Sequence, residues 1–160
     1  MQITFFDLPA ELRDRIYGLA VVDSNTIVPY FSIDRIRSPY SSIFRGEPGL
    51  LRTNRQIHGE VLPVFYGSNR FRLNNTSEVA SWLKILGPHR TSLLQSVHDY
   101  EGLYTSHAAA LKVIKTREVF TSNRLGRTLA NGVLCVEVLP GDRILWSNGH
   151  MVMHGERRRE

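Results

Sequence analysis

Cysteine is almost missing from this chain: Cys135 is the single one in 160 residues. An intrachain disulfide is therefore impossible, and no cysteine-based zinc cage can be assembled. Long apolar runs are missing too. None approaches the roughly 18 residues that a membrane-crossing helix needs, and the first residues lack the basic-then-apolar layout of a secretory signal. The expectation is an intracellular protein, cytoplasmic or nuclear, with no membrane partner. Catalytic signatures are equally thin. Gly126 and Gly132 stand alone rather than in a phosphate-cradling loop, and the histidines at 58, 89, 98, 107, 150 and 154 are scattered. His150 and His154 have the i, i+4 spacing of paired metal ligands, but no adjacent Glu completes a zincin-type helix. Cys135 lies in an apolar strand, where a free thiol acts as a small buried hydrophobe. No catalytic residue, metal or cofactor emerges, so an enzyme is not expected.

What is present is the make-up of one ordinary domain. At 42% hydrophobic and 22% charged residues the chain is globular rather than disordered, and its length supports a single core. Lysine is scarce: only Lys84, Lys112 and Lys115 occur among 20 basic residues, which leaves 17 arginines suited to bidentate pairing with carboxylate or phosphate. The net charge is +5. Glu156-Arg157-Arg158-Arg159-Glu160 adds three positive and two negative charges, so the tail supplies only +1 and the body keeps +4. The basicity is distributed.

Periodicity predicts the elements. Asp7 is placed to cap a first helix in which Pro9 lacks an N–H that would have had no partner anyway. At about 100° per residue Leu8, Leu12, Ile16, Leu19 and Ala20 share one face, leaving Glu11, Arg13, Asp14 and Arg15 to solvent. A short strand is predicted at 26–28 and a surface loop at 34–48, carrying Arg35, Arg37 and Arg45. A helix resumes at Gly49, with Leu50, Asn54, Ile57, Val61, Val64 and Phe65 on its packed face, a kink at Pro63 and an end at Gly67. Residues 69–73 alternate as a strand that pairs with 26–28, Phe71 and Leu73 on one side and Arg70 and Arg72 on the other. Ser77 is placed to cap a helix packing Val79, Trp82, Leu83 and Leu86 and ending at Gly87-Pro88. Residues 91–97 continue as helix or as helix into strand, and 108–120 lean helical with Leu111, Ile114 and Glu118 in line. Residues 133–139 and 143–146 form a terminal hairpin about Pro140-Gly141-Asp142.

Three ordered blocks carry a family resemblance. Leu8-Pro9-Ala10-Glu11-Leu12 followed by Ile16-Tyr17 resembles the opening helix of an F-box. Leu50-Leu51-Arg52-Thr53-Asn54-Arg55-Gln56-Ile57, running on to Val64-Phe65-Tyr66-Gly67-Ser68-Asn69, resembles its continuation in a group of fungal F-box-like proteins. Trp82-Leu83-Lys84-Ile85-Leu86-Gly87-Pro88 follows in the usual place. Together with the predicted strands, the resemblance gives an expected α+β fold in which F-box-like helices combine with a small antiparallel sheet in a single compact domain. The F-box-like region would span 1–100, a C-terminal helix and β-hairpin 101–148, and a disordered basic tail 149–160. It also implies a partner, a Skp-type adaptor of a cullin-RING ubiquitin ligase, and a target protein that the sequence does not identify. By position, Leu8, Pro9, Leu12 and Ile16 match adaptor-facing residues, and Leu50, Leu51 and Ile57 match the later apolar positions.

Two alternatives stand beside this reading. A basic nucleic-acid-binding domain would use Arg35, Arg37, Arg45, Arg70 and Arg72, which are equally candidates for contact with an acidic partner. A stand-alone scaffold or effector would keep the F-box-like shape without ligase function, a reading that burial of the Leu8-Leu12-Ile16 ridge inside the domain would favour.

Overall fold

The computed structural model describes residues 4–24, 27, 29, 47–99, 104, 106–130, 132–138, 143–146 and 151–153. Arg35, Arg37 and Arg45 lie outside them. The chain mixes helix and strand. Helix α1 (Ala10–Val21) follows a 3-10 turn at Phe5–Asp7, and α2 (Arg55–Ser68) follows another at Gly49–Arg52. Then β1 (Phe71–Leu73), α3 (Thr76–Ser92), β2 (Val97–Asp99), α4 (His107–Leu125) and β3 (Leu134–Val138) alternate, and β4 (Arg143–Trp146) and β5 (Met151–Met153) follow as the last described elements.

The sheet runs β1-β2-β3-β4-β5, and its first half overturns the expectation of a small antiparallel sheet. Strands β1, β2 and β3 are parallel neighbours; only β3–β4 and β4–β5 are antiparallel. The reason lies in the connections. The 17 residues of α3 and the 19 of α4 carry the chain back along the sheet, so that each next strand enters in the same direction. The short link from β3 to β4 can only reverse it. Ile27 extends the parallel half by one bridge to β1: its N–H donates to the Arg70 carbonyl at 2.8 Å, and the Arg72 N–H donates to its carbonyl at 2.9 Å. The pairing expected of 26–28 is thus present at Ile27, with Thr26 and Val28 outside the described residues. Strand β5 falls in the segment expected to be a disordered tail. Met151, Val152 and Met153 pair with Leu145, Ile144 and Arg143, so a neighbouring strand supplies the order that local composition did not announce.

Helix boundaries shift where side chains offered better caps. Asn54 was expected on the packed face of a continuous helix; instead it starts α2, its Oδ1 accepting from the Ile57 N–H at 2.9 Å. Asn75, rather than Ser77, does the same for α3 by accepting from the Glu78 N–H. Helix α2 continues through Pro63 to Ser68, with buried Val61, Leu62, Phe65 and Tyr66 on either side of the proline. Gly87 bends α3 at φ 76°, ψ 174°, a conformation open to glycine, but the helix resumes rather than ending there. The Thr91 hydroxyl donates to the Gly87 carbonyl at 2.7 Å across that bend. Gly126, at φ 66°, ends α4 in the left-handed region.

The core is a chain of aromatic contacts between helices and β1. Phe65 and Tyr66 of α2 each lie 5.7 Å from the Phe71 ring, and Phe71 lies 5.2 Å from Trp82 of α3. All four are buried, as are Val79, Leu83 and Leu86, the positions predicted for α3. Phe71 and Leu73 are buried and Arg72 between them is half-buried, as strand alternation requires. In α4 the buried row is Ala110, Ile114 and Thr121, with Leu111 at its flank.

Candidate functional site

Helix α1 has two apolar faces, and the molecule uses one of them. Tyr17 and Val21, four residues apart, are 1% and 7% exposed and pack against α2. The ridge at Leu12, Ile16 and Leu19 points outward, with exposures of 48%, 42% and 83%, and Phe6 just before it is 40% exposed. Pro9 is exposed and Leu8 half-buried at the head of the same ridge. Of the four expected docking positions, Leu12 and Ile16 are exposed on α1, Pro9 is exposed just before it, and Leu8 is half-buried in the preceding turn. A helix that leaves this much apolar surface to water needs other means of attachment.

Polar groups supply it at both ends. Arg13, expected in solvent, is turned inward one helical turn before Tyr17. Its Nε and Nη2 form a two-pronged contact with the Glu60 carboxylate of α2 at 3.0 and 2.9 Å. Its Nη1 donates to the Leu8 carbonyl at 2.6 Å, fixing the start of α1. The Tyr17 hydroxyl and the Gln56 amide also donate to Glu60, at 2.8 and 3.1 Å. Arg13 first, then Gln56 and Tyr17, hold the Glu60 carboxyl down to a pKa of about 2. Burial, reinforced by the Glu60 contact, raises that of Tyr17. At the other end buried Asn69 donates to the carbonyls of Val21 and Phe65, both at 2.8 Å, and accepts from the Asp23 N–H at 2.8 Å. Arginine was expected outside because a helical wheel gives direction but not partners; the Glu60 carboxylate waiting on α2 makes the inward position favourable.

Asp7 plays a different part from the helix cap expected of it. Its carboxylate accepts from the Thr4 N–H at 2.7 Å and the Thr4 hydroxyl at 2.8 Å, closing the 3-10 turn. Those bonds, the backbone one foremost, lower its pKa. Pro9 occupies the position before α1, and its carbonyl accepts from the N–H groups of Leu12 and Arg13. The turn presents Phe6 outward while Phe5 packs 5.6 Å from the Tyr17 ring.

The later positions divide. Leu51, expected at the adaptor surface, is 3% exposed and belongs to the core, because the 3-10 turn Gly49–Arg52 lays it against α2. Leu50 and Ile57 are half-buried and lean on the same core. Arg70 and Arg72 are half-buried at β1. Tyr66 donates to the Glu47 carboxylate at 2.6 Å, and the Arg90 Nε lies 3.2 Å from the same oxygen. Burial, helped by Glu47, keeps the Tyr66 phenol protonated. The Arg13–Glu60 and Glu47–Arg90 pairs and the Asn69 hub were not foreseen. Only Asn69 left a trace, standing just after Gly67-Ser68 where a helix end would need a polar partner.

Among the described residues no three His, Cys, Asp or Glu side chains converge as a metal would require, and no helix is long and apolar enough to cross a membrane. Cys135 is fully buried, its thiol 3.4 Å from the Val97 carbonyl. The arrangement on α1 can present apolar anchors on a rigid rod to another surface. No family model matches the chain, and neither a curated protein nor a solved structure does.

Proposed function

We propose that this chain is a protein–protein interaction module that docks through α1, in the manner of an F-box receptor on a Skp-type adaptor of a cullin-RING ubiquitin ligase. The observation that carries the reading is the orientation of α1, with Leu12, Ile16 and Leu19 outward and Tyr17 and Val21 inward. Full burial of a leucine- or isoleucine-sized side chain is worth about 1.5–3 kcal/mol. A few such residues on a pre-formed helix reach the roughly 8 kcal/mol of a micromolar complex. The fold reading that goes with it is α+β, F-box-like helices and sheet sharing one compact domain. The docking set is Leu8, Pro9, Leu12 and Ile16, with Leu50 and Ile57 at its margin and Leu51 withdrawn into the core. A receptor of this type works in the cytoplasm or nucleus and holds a target protein elsewhere on its surface.

Burial of the Leu8-Leu12-Ile16 ridge would favour the stand-alone scaffold, and Leu12 and Ile16 are exposed. For nucleic acid, Arg70 just before β1 and Arg72 within it are half-buried, a poor vantage for phosphate contacts. Leu12→Asp with Ile16→Asp tests the proposal. The double variant should stay folded, because both sites are exposed, and should lose co-purification with a Skp-type adaptor from a fungal extract. Unchanged capture of adaptor by the folded variant would refute it.

A further inference from the structure

We infer that the outward face of α4 is a second docking surface, one that takes an acidic protein segment carrying an apolar side chain. Helix α4 packs on α3, β3 and β4, whereas α1 packs on α2, so the two outward faces belong to different parts of the molecule. At about 100° per residue, the exposed arc of α4 runs from Lys115 round to Arg124, about half the helix circumference. Lys112, Val119 and Phe120 lie within it, and no carboxylate does. Glu118, the one acid of the helix, is half-buried at the flank. Arg124 reaches Ser77 of α3 at 3.4 Å, but the acid beside Ser77, Glu78, already accepts from the backbone and side-chain nitrogens of Asn74 at 3.2 Å. Lys115 stands one turn from Glu118, whereas Lys112 and Arg124 have no acid of their own helix three or four residues away.

Two apolar side chains sit among those cations. Val119 is 60% exposed and Phe120 43%, and the Arg124 guanidinium lies 5.7 Å from the centre of the Phe120 ring. Long basic side chains around a small apolar centre complement a segment with acidic residues around an apolar one. A membrane surface would call for a broad apolar face rather than two residues bordered by Lys112 and Lys115. A single-stranded nucleic acid would want an open ring to stack on, and Arg124 already covers Phe120. The acidic protein segment fits both features.

The inference does not depend on the adaptor reading, and the two fail separately. A short fluorescent peptide of repeated Glu-Glu-Leu units, titrated with the full chain, should bind in a salt-sensitive manner. Lys112→Glu with Lys115→Glu, at exposed sites, should weaken binding about tenfold, and Val119→Ser should weaken it without changing the charge. A Gln-Gln-Leu peptide should bind less well than its acidic counterpart. Charge reversal should leave adaptor capture intact, and Leu12→Asp with Ile16→Asp should leave peptide binding intact. Equal binding of the two peptides, or no response to either the lysine or the Val119 variant, would overturn the assignment. So would tighter binding of phosphatidylserine vesicles or mixed-sequence DNA than of the acidic peptide.

Discussion

Helices α1 and α3 are both amphipathic, yet they point their apolar residues in opposite directions. Helix α3 buries Val79, Ala80, Trp82, Leu83 and Leu86 and leaves Lys84 and Ile85 outside. Helix α1 buries only Tyr17 and Val21 and leaves its leucines and Ile16 in water. The first is held by apolar area, the second by the buried pair Tyr17 and Val21 together with the Arg13–Glu60 contact at one end and Asn69 at the other. Polar attachment lets a helix be fixed in place while most of its apolar surface stays available. That division of labour is what makes α1 suited to recognition and α3 to stability.

Removing the Trp82 ring attacks the apolar side of the contrast and has the largest expected effect. Trp82→Ala should cost about 3–5 kcal/mol, a large part of the roughly 5–15 kcal/mol that holds an ordinary domain together. Urea unfolding reads this directly; a loss below about 1 kcal/mol would place Trp82 outside the central packing.

Acid attacks the polar side. The Glu60 carboxyl titrates at about 2 in the folded chain against an ordinary 4.5, so between those values the unfolded chain carries more protons than the folded one. Stabilisation from this contact is therefore complete above pH 4.5 and is lost as pH falls toward 2. Amide NMR signals of α1 should shift at the acid end of that window, near pH 2 where folded Glu60 takes up its proton, before those of α3 do. Glu60→Gln should abolish the step, and an α1 titration that survives this change would assign the step to another group. The smallest effect belongs to the ridge itself. Leu19→Lys, at a site 83% exposed, should change stability by no more than about 0.5 kcal/mol. A thermal melt showing a much larger loss would mean that Leu19 is covered in solution.

Much of the helical framework was legible. The spacing of Val79, Trp82, Leu83 and Leu86 marked the buried side of α3, because four apolar residues on one stripe leave a single way to pack. The 133–139 and 143–146 runs announced β3 and β4 through their β-branched residues and the turn between them. On α1 the same periodicity picked out the outward ridge and missed the inward row. Arg13, Tyr17 and Val21 do not read as a core stripe until Glu60 completes Arg13. Leu51 was misplaced because a 3-10 turn, invisible to a helical wheel, rotates it into the core. The parallel half of the sheet was missed for a different reason. Alternating strands and helices suggest crossovers, but each strand here is only three to five residues long, too short for its pattern to declare a direction.

The sequence by itself determined most of the helical segments and the apolar ridge that α1 carries. Those outcomes depend on neighbours within a turn or two of chain. Tertiary structure decided which face of α1 meets α2, that three strands run parallel, and that Met151–Met153 join the sheet. Each of these turns on a partner distant in sequence, such as Glu60 for Arg13 or β4 for β5, and a contact free energy exists only once both partners are in place.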